Sequence, residues 1–68
     1  MYKSVLTERE RQIFILLTKN KTTKEIARIL NISEKTVRNH ISNTMQKLGV
    51  KGRAGAVVEL LKLHEISL

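Results

Sequence analysis

The chain has 68 residues, room for one domain and not for a second. Its 13 Lys and Arg stand against 6 Asp and Glu, a formal net charge of +7 that points to a polyanionic partner, either nucleic acid or an anionic membrane surface. With no cysteine, and two histidines that stand alone, a disulfide framework and a structural metal are both excluded, and no segment approaches the roughly 20 apolar residues of a membrane span.

Met1-Tyr2-Lys3-Ser4 leads straight into a helix signal with no apolar stretch of signal-peptide type, so the chain is expected to be cytoplasmic. The first helix opens in VLTERE, where Thr7 is the N-cap, Glu10 closes a capping box and Leu6 is the staple. Ile13, Phe14, Leu16 and Leu17 supply its apolar stripe, which Lys19-Asn20-Lys21 interrupts as a connection. A second capping box, TTKE from Thr22 to Glu25, precedes Ile26, Ala27, Ile29 and Leu30 in a short helix ending near Asn31. Ser33 caps a third helix running from about Glu34 to Leu48, with Gly49 as its left-handed C-cap and Val50 folding back on the last turn. A fourth helix is expected over residues 53–64. The class is therefore all-α: four helices, no strands, short connections.

The informative unit is residues 22–41, TTKEIARILNISEKTVRNHI. A short helix, a tight turn and a longer helix form a helix-turn-helix, which presents its second helix to the DNA major groove. Ala27 must be small where the two helices cross, and Ile32 and Val37 plug the angle between them. The third helix divides into two faces. At about 100° per residue from Lys35, residues Arg38, Asn39, Ser42, Asn43 and Gln46 fall between roughly −60° and +80°. Val37, Ile41, Thr44, Met45 and Leu48 occupy the other, apolar side. The polar face has donors and no acid, with Glu34 just off it. An ordinary solvated face mixes both signs. Arg pairs bidentately with guanine and Asn with adenine, so this face suits base edges.

The strings LTERER, TTKEIA, ISEKTVRNHISN and QKLGVKGR resemble the LuxR-type helix-turn-helix domain over most of the chain, from Leu6 to about Leu63. Within that family the chain is similar to small stand-alone regulators of spore formation. The resemblance implies a four-helix domain whose third helix reads the major groove and whose fourth helix pairs two subunits at promoters. By position, Lys35, Arg38, Asn39 and Ser42 match the family's base-facing set. Thr23, Lys24, Thr36 and Lys47 match its phosphate-facing set. Gly52 departs from the Asn, Asp or Ser common there, which leaves the start of helix four with a weaker cap.

Other residues have plainer readings. Asn43 is assigned to the DNA backbone set, with a hydrogen bond inside the protein as the alternative. Lys51 and Arg53 reach phosphates, or Arg53 pairs with a helix-one acid such as Glu10. His40, at about 140° on the wheel, borders the core and is structural or phosphate-bonding rather than catalytic. His64 favours the dipole of the helix end. Glu8, Glu10, Glu25 and Glu34 sit in first helical turns, where the dipole favours acids, and do not form a catalytic pair. No nucleophile with a base, glycine-rich phosphate loop or metal spacing is present, so neither an enzyme nor a cofactor is expected.

Seven of the ten positions at 54–63 are apolar, more than one buried stripe needs. Ala56, Val57 and Leu60 are assigned to the core. Ala54, Val58 and Leu61 form a second stripe, expected to pair with a second copy. A core this small and unstapled also favours a homodimer. RNA polymerase is a further candidate partner. Three rivals remain weaker. A sigma-factor promoter-reading domain shares LTERER but not Gly49-Val50-Lys51 with an apolar helix after it. An interaction module that had lost DNA binding would carry acids on the recognition face. A membrane-surface helix would be one continuous amphipathic helix with more aromatics. The starting Met and the length are those expected of a complete regulator, against a C-terminal fragment of a larger response regulator.

Overall fold

The computed structural model describes residues 5–68; Met1 to Ser4, the lead-in to the first helix, lie outside the described residues. Four helices occur in order: α1 (Glu8–Thr18), α2 (Thr23–Leu30), α3 (Glu34–Leu48) and α4 (Arg53–Lys62). No strand occurs among the described residues.

The helix starts obey local chemistry. Thr7 Oγ1 accepts the Glu10 N–H at 3.1 Å while Glu10 accepts the Thr7 N–H at 2.9 Å. Thr22 and Glu25 repeat this reciprocal pair at the same distances. Ser33 Oγ accepts the Thr36 N–H at 3.0 Å. Gly52 precedes α4 with no side-chain cap, in keeping with its departure from the family pattern.

All four helices stop in one way. Asn20, Asn31, Gly49 and His64 have φ of 62°, 58°, 69° and 58°, and each lies just past a helix end. The next N–H reaches back round the turn: Lys21 to Leu16, Ile32 to Ala27, Val50 to Met45, Glu65 to Leu60. This 6→1 bond with a left-handed residue beneath it is the Schellman stop. Two Asn and one Gly are residues suited to that conformation. His64 adopts it less freely than glycine, and the residues after it, Glu65 and Ile66, are buried. The fourth helix accordingly ends at Lys62, short of the expected limit near residue 64, because the chain turns back at His64 to bury Glu65 and Ile66.

The core takes Ile13 and Phe14 from α1, Ile26 and Ala27 from α2, Val37 and Ile41 from α3, and Ala56 and Leu60 from α4, closed by Leu6 and Ile66. Helix α3 packs on each of the other three. Its polar face is consequently the side that no helix covers.

Candidate nucleic-acid interface

Thr22 opens the helix-turn-helix, and the turn is the α2 stop itself. Asn31 takes the left-handed conformation, Ile32 folds back to Ala27 with its N–H 2.9 Å from the Ala27 carbonyl, and Ser33 begins α3. Ala27 is buried at the crossing and Val37 is fully buried beside it. Three successive local devices therefore seat the start of α3 against α2.

The polar face of α3 is exposed to solvent as expected. Lys35, Arg38, Asn39, Ser42, Asn43 and Gln46 are all exposed, while Val37, Ile41 and Thr44 on the opposite side are buried. Thr44 satisfies its hydroxyl by donating to the His40 carbonyl at 2.9 Å. Arg38 Nη1 lies 3.9 Å from Glu34 Oε1, a solvated intrahelical pair that leaves the guanidinium available. Of the expected backbone set, Lys24 and Lys51 are exposed and make no ion pair among the described residues, and Thr23 and Thr36 are half-buried. Thr36 Oγ1 takes a hydrogen bond from Ser33 Oγ at 2.8 Å.

Lys47 is placed differently from its neighbours. Its Nζ donates to Glu10 Oε1 at 2.6 Å, across a cleft lined also by Thr7, His40, Asn43 and Gln46. The acid considered for Arg53 is thus held by Lys47. Burial would raise the Glu10 carboxyl, but the bonds from Lys47 and Thr7 outweigh it and hold its pKa below the ordinary carboxylate range. Helix α4 divides as read: Ala56 and Leu60 are buried, Ala54 is exposed and Val58 is 51% exposed. Leu61 is an exception within the second stripe, being half-buried against the core. Among the described residues no cluster of side chains suits a metal ion, and no helix is long and apolar enough to cross a membrane.

The model of the luxR family of bacterial regulatory proteins matches residues 4–60. The chain belongs to that family. This LuxR-family chain is 70% identical over 66 residues to the spore germination protein GerE of Bacillus subtilis strain 168, covering 97% of this chain and 89% of that one. A solved structure of the transcription factor GerE superposes with a TM-score of 0.93 at 63% identity, covering 96% of this chain and 97% of that chain. The transcriptional regulatory protein DegU of Brevibacillus brevis is 47% identical over 58 residues, 85% of this chain, and the match spans only 25% of DegU. The family match includes the helix-turn-helix and most of α4, so the fold expected from the motifs is the fold found.

Proposed function

We propose that this LuxR-family regulator binds double-stranded DNA sequence-specifically and controls transcription of genes for the spore, as its similarity to a spore germination protein suggests. One observation carries the reading: an acid-free, solvent-facing row of donors on α3, set at the helix-turn-helix angle. Lys35, Arg38, Asn39 and Ser42 read base edges in the major groove. Thr23, Lys24, Thr36, Asn43 and Lys51 hold the sugar-phosphate backbone, and the excess positive charge draws the domain to DNA. Two copies pair through α4 at Ala54 and Val58, with Leu61 at the edge of the contact, and read half-sites about one helical turn apart. The protein performs no chemistry and needs no cofactor. RNA polymerase at the same promoter is its further partner.

Selection of random duplex DNA by the purified protein tests this reading. A recurring motif with two symmetric halves is the expected result. Recovery of unenriched sequence would overturn it.

A further inference from the structure

Glu10 and Lys47 are 37 positions apart, one in the first turn of α1 and the other in the last turn of α3. Glu10 Oε1 accepts both the Lys47 ammonium at 2.6 Å and the Thr7 N–H at 2.9 Å. The carboxylate side chain is 4% exposed and the lysine 38%. An ammonium that left this oxygen for a DNA phosphate would strand a buried carboxylate. That costs far more than a solvated phosphate contact returns.

The place of the bond matters as much as its strength. Helix α3 packs on α2, and its start follows directly from the α2 stop through Ile32 and Ser33. Its last turn faces the cleft beside α1, where Asn43 and Gln46 lie next to Lys47. Asn43 is one turn before Lys47 on the same helix, so a shift of the lysine is passed to the reading face.

We infer that Lys47 is a positioning residue of the DNA interface and not a phosphate contact: its bond to Glu10 fastens the end of α3 to the start of α1 and sets the angle at which the recognition helix enters the groove. The inference rests on α3 reading DNA as proposed for this domain. It replaces the phosphate role that family resemblance implies for this lysine.

Three variants test it: Lys47→Met, Glu10→Gln and the two together. Gln at position 10 still accepts the Thr7 N–H, so the capping box survives. The double variant also keeps the parent's formal charge, which removes bulk electrostatics from the comparison. Each is titrated against the DNA selected by the parent and against random DNA, over a salt series, with circular dichroism as the check on folding. Each single variant is expected to lose roughly tenfold on selected DNA, with a smaller loss on random DNA, because one partner is left alone. The double variant strands no charge but still lacks the fastening bond, so it is expected to stay several-fold weaker than the parent on selected DNA, with random DNA bound nearly as before and the parental salt slope.

A double variant as weak as Lys47→Met, with a slope shallower by about one per phosphate lost, would show that Lys47 touches the backbone and would overturn the inference. Single variants that bind as tightly as the parent, or tighter, would overturn it too. If Lys47→Met does not fold, Glu10→Gln and the double variant decide by their own affinities and slopes. A parent that selects no DNA sinks the functional reading and the inference together. A parent that selects DNA while the double variant binds it as tightly as the parent, or with a shallower slope, sinks the inference alone.

Discussion

Arg11 Nη2 donates to Glu65 Oε1 at 2.6 Å, tying the middle of α1 to the tail beyond α4. Arg11 Nε also donates to the Glu65 carbonyl at 3.1 Å, and Glu65 Oε2 accepts the Val5 N–H at 3.0 Å. The Glu65 side chain has no exposed surface, at 0%, while Arg11 keeps 27%. Arg11→Met therefore strands a buried carboxylate. Allowing for the partly solvated arginine, the cost is about 2–3 kcal/mol. In a domain of this size that lowers the melting temperature by about 10 °C or more, read by circular dichroism. An unchanged melt would show that the clamp adds nothing.

Arg38 sits centrally on the exposed face of α3, and its pair with Glu34 at 3.9 Å is too solvated to matter to the fold. Arg38→Ala should cost about 1–3 kcal/mol on the selected DNA and relax preference at one position, with random DNA bound nearly as before. Equal losses on both DNAs would make Arg38 a phosphate contact instead.

Val58 offers the cleaner test of pairing through α4, since it is 51% exposed whereas Leu61 also packs on the core. Val58→Glu places a charge where a two-fold helix pair would bury it. The thermal melt of the free domain should stay close to the parent's. Cooperative binding to paired half-sites should vanish, while a single half-site is still bound. Cooperativity retained in this variant would rule α4 out as the contact.

His64 holds φ at 58° only to let the tail return. A side chain with a Cβ loses about 1 kcal/mol in this conformation, which glycine adopts freely. His64→Gly should raise the melting temperature by about 4–8 °C. A lower melting temperature would mean that the imidazole makes a stabilising contact worth more than the strain.

Acid should loosen the domain through Glu10. Burial acts to raise this carboxyl, the bonds from Lys47 and Thr7 outweigh it, and the folded value lies below the ordinary one. As pH falls, the unfolded chain takes up the proton first, at about pH 4.3, so stability rises with pH between the two values. The contribution is full above the unfolded value and is lost as pH falls through the folded one. Glu25, lowered by its bonds from Thr22, acts in the same sense. Thermal melts from about pH 6 to about pH 3 should show a falling midpoint, with a smaller fall in Glu10→Gln. Equal falls in both proteins would exclude Glu10 as a source.

The three side-chain helix caps and the glycine stop of α3 were legible from the sequence alone. Thr7 with Glu10, Thr22 with Glu25, Ser33, and Gly49 with Val50 act over one helical turn, and the structure has each where its spacing put it. The two faces of α3 and the crossing at Ala27 come from helical period and side-chain size, so the fold and the exposed polar face were written locally. The tertiary structure alone decided the long-range pairs. Lys47 meets Glu10 across 37 positions, and Arg11 meets Glu65 across 54. No period links such residues, and a lysine at the edge of a basic face looks the same in sequence whether it meets a phosphate or a buried acid. The stop at His64 was hidden for a related reason. No glycine or asparagine marks it, and its left-handed turn exists because Glu65 and Ile66 gain a buried place against α1 and the core that only the assembled helices provide.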